Sequence, residues 1–197
     1  MKTYLLIKNI LDFVGALGLI LLFSPLFLLI PILIKLDSKG PVLFTQRRIG
    51  KDGSEFSMYK FRTMDVKAPK DLPTHLFSDA ESHITRVGSI LRKSSLDEIP
   101  QFFNVLKRDM SFIGPRPALW NQYDLMEARR KSKADALRPG ITGLAQVNGR
   151  DELPIERKAE LDGLYANKLS FFLDLFILMK TASLVFTGKG VSEGGPK

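Results

Sequence analysis

The sequence predicts an α+β protein: an N-terminal apolar helix broken in its middle, then a small, mostly helical domain carrying one β-hairpin. Three observations predict it. Ile10 to Ile34 reads ILDFVGALGLILLFSPLFLLIPILI, 25 residues whose only charge is Asp12. Pro41–Gly50 and Glu55–Met64 alternate apolar and polar residues around Lys51-Asp52-Gly53-Ser54, a hairpin signature. Beyond them, short stretches place apolar residues at helical spacing between Gly- and Pro-rich turns.

The apolar segment exceeds the roughly 20 residues a helix needs to cross a bilayer, so a single-pass anchor is the default reading. Two features argue instead for a re-entrant helix, entering and leaving by one leaflet. Pro25 lies near the middle, beside a Ser24 hydroxyl able to bond a freed carbonyl, and Pro31 follows. Cations flank both ends, Lys2 and Lys8 before and Lys35, Lys39, Arg47 and Arg48 after, without the asymmetry of a spanning helix. Asp12 is then expected at headgroup depth, paired with a cation such as Lys8. Residues 1–36 form this membrane-associated unit and residues 37–197 a cytosolic domain.

Composition narrows the function classes. The net charge is +8, from 29 basic and 21 acidic residues, yet mean hydropathy is +0.01, so apolar residues are concentrated locally. Zero cysteines exclude disulfides and thiolate metal sites, which suits a reducing compartment. His75 and His83 lie in a polar, turn-rich stretch and read as solvated loop residues, against a His metal site or a Ser-His triad. The basic surplus suits nucleic acid, an anionic membrane or phosphorylated substrates. With no zinc-finger or RNP signature and no basic arm, membrane and phosphate are favoured over nucleic acid.

The hairpin carries Arg47, Arg48, Lys60 and Arg62, placed to meet phosphate or headgroups. Asp65 to Ser82 is a polar surface loop, and Ile84 to Lys93 a helix ending in Arg92 and Lys93. Next comes Leu96 to Pro117, with Asp97 and Glu98 adjacent before a helix and Gly114-Pro115-Arg116-Pro117 as a rigid turn presenting a cation. Ser95-Leu96-Asp97-Glu98 also fits a capping box, which would make both acids mere helix stabilisers. Pro100, suited to a first helical position, argues partly against that. Phe102, Phe103, Val105 and Leu106 read as a largely buried helix through Asp109. Ala118 to Ala136 reads as a polar helix packing Trp120, Tyr123 and Met126 on the domain.

Arg138 to Arg150 is a tight Gly/Pro loop whose glycines can let backbone N–H groups approach a phosphate, although it is neither a P-loop nor a GxGxxG fingerprint. Leu169 to Phe186 is apolar but interrupted by Asp174 and Lys180, hence an interfacial or core helix. The tail after Thr187 is Gly-rich.

Two carboxylates with Lys60, Arg62, Arg92 and Arg116 are parts suited to phosphoryl transfer: a nucleophile or metal ligand, and cations for the charge on phosphorus. The rivals are a non-enzymatic lipid-binding anchor and a membrane-tethered nucleic-acid binder.

The apolar segment with Ser24-Pro25, FTQRRIG at Phe44–Gly50, YKFRTM at Tyr59–Met64, RKSSLDEIPQFFNVLKRDMSFIGPRP at Arg92–Pro117 and RPGITGLAQVNGR at Arg138–Arg150 follow one another in family order. From about Lys8 to Ser192 the chain resembles the bacterial sugar transferase family, the small monotopic phosphoglycosyl transferases. The resemblance implies a helix–break–helix at Ser24-Pro25, on the cytosolic face of a bacterial inner membrane. It implies that Asp97 attacks the β-phosphate of a UDP-sugar, releases UMP and passes the phosphosugar to polyprenyl phosphate by ping-pong, the first membrane step of glycan assembly. Glu98 would help hold Mg²⁺, Arg92 and Arg116 would lie near the phosphates, and Lys60 and Asp174 would support the site. Arg62, Arg138, Gln146, Asn148 and Arg150 would serve substrate and phosphate binding. Arg62 stands where a relative carries Lys, and the loop before Ile84 has its own length. The motifs fix neither the sugar nor the oligomeric state.

Overall fold

The computed structural model describes residues 2–69, 81–149 and 153–187. His75, Arg150 and the Gly-rich tail lie outside them.

Helix α1 (Lys2–Leu22) and helix α2 (Ser24–Asp37) are separated at Phe23, with Pro25 in the first turn of α2. The cause is local. Pro25 has no N–H for the carbonyl of Leu21, four residues back, and the Ser24 hydroxyl donates to that carbonyl instead, at 2.8 Å. Pro31 is accommodated inside α2 without ending it.

Both helices lie against the rest of the chain. On α1, the Tyr4 hydroxyl and the Lys8 ammonium donate to Asp174 at 2.6 and 2.7 Å. Ala16 is fully buried among Met58, Val105 and Met110. On α2, Ile30 and Ile34 pack with Phe61, Leu91 and Ile99, and the Asp37 carboxylate accepts from the Val87 amide at 2.9 Å. The opposite faces are bare and apolar, Leu6, Ile10 and Leu21 on α1 and Leu28, Ile32 and Leu36 on α2 being more than half exposed. Asp12 departs from expectation. It is buried, accepts from the Phe112 amide at 3.2 Å, and leaves Lys8 to Asp174. A carboxylate on an apolar helix is tolerable here because it is buried against the protein, where a backbone N–H reaches it.

The hairpin forms as expected: β1 (Leu43–Ile49) and β2 (Glu55–Phe61) pair antiparallel from Leu43↔Phe61 to Ile49↔Glu55, turning through Asp52 and Gly53 at positive φ. The order of the sheet is β2-β1-β4, with β4 being Ala118–Leu119. That strand corrects the expected helix from Ala118 to Ala136. Ala118 and Leu119 bond to the far end of β1, and helix α5 is only Tyr123–Lys131. Leu125 and Arg129 fill its buried face while Tyr123 is exposed. Arg129 pairs there with buried Asp162 of α6 (Ile155–Asn167) at 2.8 Å.

Helix α3 (Arg86–Lys93) is capped by Thr85, whose hydroxyl accepts from the Gly88 amide. Helix α4 (Gln101–Leu106) follows Pro100, its N-cap. Phe103 on α4 is 40% exposed rather than core. His83 is half-buried against Asp65 at 3.0 Å, not freely solvated.

A parallel pair, β3 (Ser111–Ile113) and β5 (Gly140–Thr142), joins the Gly114-Pro115-Arg116-Pro117 turn to the glycine loop. The glycines there serve packing: a Cβ on Gly140 or Gly143 would stand 2.1 Å from the amide nitrogen or 2.0 Å from the carbonyl oxygen of Gly114. They seat one backbone on another. Helix α7 (Phe171–Thr187) buries Asp174 and Ile177 and exposes Phe172, Leu178 and Met179.

Gly88 sets how closely α3 approaches the end of the hairpin, since a Cβ there would meet the Thr63 carbonyl oxygen at 2.0 Å. Gly88→Ala is expected to cost about 1–3 kcal/mol and to displace Arg92 from Thr63. A lowered thermal midpoint together with lost activity checks it.

Candidate active site

The acidic pair sits on one 3₁₀ turn, Leu96–Glu98, entered through Ser95 in the left-handed region at φ 56°. A non-glycine residue held there is strained by about 1–3 kcal/mol, a cost concentrated at functional sites. The Ser95 side chain caps nothing, so the capping-box role does not hold. Leu96 and Ile99 on either side pack into the apolar cluster of α2. Those two anchors hold the turn, and the carboxylates emerge from the edge of the cluster.

Lys60 reaches across from β2. Its Nζ lies 2.6 Å from Glu98 Oε1 and 4.0 Å from Asp97 Oδ2. Arg116, from the rigid turn, approaches the same Glu98 oxygen at 3.6 Å. Arg92, from the last turn of α3, donates through Nε to the Thr63 hydroxyl at 2.9 Å and lies within electrostatic reach of Asp97. Three cations from three different elements thus surround two neighbouring carboxylates.

Burial dominates the electrostatics of Asp97, which is 8% exposed. It pushes the carboxyl up to about 6; Lys60 pulls it down, Glu98 adds to the rise, and Arg92 and Arg116 lower it. At neutral pH the group is ionised but poorly solvated, the state suited to a nucleophile.

Two further residues, which lie inside the quoted motif stretches but were given no role there, hold these groups in place. Asn104, fully buried on α4, accepts from the Tyr59 amide at 3.0 Å and donates to the Ser57 carbonyl at 2.8 Å. Its amide acts as one more strand residue on the open edge of β2, fixing Lys60 relative to the acidic turn. Thr63 orients Arg92 with its hydroxyl and accepts from the Thr85 amide with its carbonyl. Membership of the quoted Arg92–Pro117 and Tyr59–Met64 stretches was the available signal for both, joined for the first by an Asn inside an apolar helix.

The remaining candidates are placed elsewhere. Arg62 is spent on backbone: its guanidinium donates to the carbonyls of Pro41, Lys39 and Ser38 at 2.6, 2.8 and 2.9 Å, clamping the exit of α2. Asp174 takes Tyr4, Lys8 and Tyr165, the last at 2.7 Å, and burial with that carboxylate pushes the Tyr165 phenol far up, so it stays a donor. Arg138 bonds Asn9 on α1 at 2.7 Å. Gln146 is buried with its amide closed to solvent and unpaired, and Asn148 folds back to the Leu144 carbonyl. Of the hairpin cations, Arg47 stacks over Trp120 and Arg48 donates to Gln46 and the Pro117 carbonyl. Only Lys60 among them faces the acids.

Residues 3–188, which include every group just described, match the bacterial sugar transferase family. The chain belongs to that family. It is 39% identical over 189 residues to the "Uncharacterized sugar transferase EpsL" of Bacillus subtilis, covering 96% of this chain and 92% of the relative. It is 42% identical over 193 residues to the "UDP-N-acetylgalactosamine-undecaprenyl-phosphate N-acetylgalactosaminephosphotransferase" of Aeromonas hydrophila, covering 95% of this chain and 45% of the relative. A "UDP-glucose:undecaprenyl-phosphate glucose-1-phosphate transferase" of Xanthomonas campestris pv. campestris is 42% identical over 172 residues, covering 84% of this chain and 36% of the relative. The transferase therefore spans nearly all of the first relative and less than half of the other two.

The raised Asp97 carboxyl makes a stability prediction for this transferase. Its folded value lies above that of an unfolded Asp, so between about 4 and 6 the folded state holds the extra proton and stability falls as pH rises. Above that window the charged, buried group costs at most on the order of 3 kcal/mol. Asp97→Asn is expected to raise the thermal midpoint at neutral pH and to narrow the difference at pH 4. Equal midpoints for the two proteins at both pH values would contradict the assigned burial cost.

Proposed function

We propose that this transferase moves a sugar phosphate from a UDP-sugar to polyprenyl (undecaprenyl) phosphate. The reading rests on one observation above the rest: a buried, ionisable Asp97 faced by Lys60, Glu98, Arg92 and Arg116. The activities in the names of the two longer relatives support the donor and acceptor classes. A carboxylate oxygen of Asp97 attacks the β-phosphorus of the donor, the bond to the bridging oxygen breaks, and UMP departs. The acceptor phosphate then attacks the same phosphorus, releasing Asp97 and leaving a polyprenyl diphosphate sugar. Lys60, with Arg92 and Arg116 adding to it, favours the ionised form of Asp97, and Lys60 and Arg116 offset the charge gathered at Glu98 and the phosphates.

Mg²⁺ fits this donor set as a shared ion. Among the described residues no cluster of three or more acidic, His or Cys groups exists to cage a metal. The Asp97–Glu98 pair alone suits an ion that takes its other ligands from phosphate and water. Bound, Mg²⁺ would supply charge neutralisation of the diphosphate, with Glu98 as its principal protein ligand.

The reading includes a re-entrant helix over residues 1–36 and a cytosolic domain over 37–197 at the inner membrane. A spanning helix carries its far end about 30 Å across the bilayer. Here Tyr4 and Lys8 at one end and Asp37 at the other both bond the same domain, which supports entry and exit by one leaflet. The exposed apolar faces of α1, α2 and α7 then enter lipid, and a water-soluble donor meets a lipid-bound acceptor at headgroup depth.

UMP release from a panel of UDP-sugars, with Mg²⁺ and polyprenyl phosphate present, tests the reaction. At least one donor is expected to release UMP, with Asp97→Asn reduced by a factor of about 10³ or more and Glu98→Gln strongly reduced; full activity in Asp97→Asn would refute the proposal. The cysteine-free chain also allows single-site labelling. Thr3→Cys and Ser38→Cys in inverted vesicles are expected to react with an impermeant maleimide from the same side, whereas opposite sides would indicate a spanning helix.

A further inference from the structure

We infer that the isoprenoid chain of the acceptor leaves the reaction centre along an aromatic track over Phe27 and Phe103, with buried Phe61 packed behind it at the inner end. The inference rests on the phosphosugar-transfer reading of the same site. Phe61 follows Lys60 on β2 and is 3% exposed. Its ring stands 5.9 Å from Phe27 on α2, and Phe27 stands edge-on to Phe103 on α4 at 5.3 Å. Exposure rises along the series, from buried Phe61 through half-buried Phe27 to Phe103 at 40%. The inner end shares its apolar cluster with Leu96 and Ile99, the residues that bracket Asp97 and Glu98. The outer end, Phe103, meets α2 at Phe27.

This continuity selects the occupant. A polyprenyl phosphate carries its charge at one end and an uncharged, unsaturated chain at the other. Its phosphate must reach Asp97, so its first isoprene units must leave over apolar surface that begins at the acidic turn. Residues 96–103 provide both surfaces on one short segment. The neighbouring Phe102 is already engaged, with Phe23 at 6.3 Å and Phe112 at 5.9 Å. Both adjacent phenylalanines make ring contacts, but Phe102 is half-buried whereas Phe103, edge-on to Phe27, keeps 40% of its surface exposed. Contacts between aromatic faces and apolar chains contribute through buried area without fixing geometry, which suits a chain that must slide in and out at every turnover.

The test uses the full chain in lipid nanodiscs and in detergent micelles, with a long polyprenyl phosphate and with an acceptor of two isoprene units. Phe103→Ala is expected to raise the acceptor KM about tenfold, with the donor KM within about twofold. Phe103→Leu is expected to restore most of it, and the effect to persist with the short acceptor in micelles. Three results would overturn the inference: an unchanged acceptor KM, an equal rise in donor KM, or an effect confined to nanodiscs, which would make Phe103 a bilayer anchor only. A photoreactive group on the first isoprene unit gives a readout independent of turnover and of the variants. The peptide holding Phe103 should capture it, with competition by unlabelled acceptor, and capture only on α1 or α7 would exclude the track. Absent UMP release by the unmodified protein, with specific capture at Phe103, would count against the reaction and not against the track.

Discussion

The Lys60 ammonium, held between Glu98 and Asp97, is the interaction on which the rest of the structure depends. A carboxylate as buried as Asp97 is costly to ionise, and attraction from one cation in a medium of intermediate dielectric offsets a good part of that cost. Lys60 delivers it only if β2 stands at a fixed distance from the 3₁₀ turn. Asn104 closes the edge of β2 onto α4, Leu96 and Ile99 seat the turn on α2, and Gly88 lets α3 approach closely enough for Arg92 to bond Thr63. Stability is thereby traded for a group that is charged, dry and strained in its approach through Ser95.

The broken N-terminal helix belongs to the same arrangement. Pro25 frees one carbonyl, Ser24 satisfies it, and the chain resumes as a second helix whose inner face forms the floor beneath the acidic turn. Arg62 then locks the three carbonyls that follow α2, and Asp174 gathers Tyr4, Lys8 and Tyr165 at the other end. Removing one partner of such a buried pair costs about 3–5 kcal/mol, so the helix is a structural wall of the site as well as an apolar surface.

Elements with strong local chemistry were legible in the sequence: the Ser-Pro break, the Asp-Gly hairpin, the helix after Pro100 and the meeting of Lys60, Arg92 and Arg116 with the acidic pair. What could not be read depended on tertiary contact. Ala118–Leu119 became a strand because β1 had an open edge at Arg48 and Ile49, which local helical spacing does not register. Arg62 and Asp174 carry the residue types of a phosphate site; in the fold Arg62 bonds three backbone carbonyls, and Asp174 bonds Tyr4, Lys8 and Tyr165, contacts that local sequence does not register. Of the glycines in the 138–149 loop, Gly140 and Gly143 seat against Gly114, and Gly149 lies against Leu153. Charge and flexibility advertise what a residue is able to bind; only packing decides which partner arrives.

The covalent step is tested most directly by intact mass after mixing the purified protein with its UDP-sugar and Mg²⁺ while withholding the lipid. The expected product is the protein carrying the added mass of one phosphosugar, located at Asp97 by peptide mapping and removed when polyprenyl phosphate is supplied. UMP release that requires the acceptor and leaves the protein's mass unchanged would contradict a covalent intermediate, and would point to direct transfer between the two substrates.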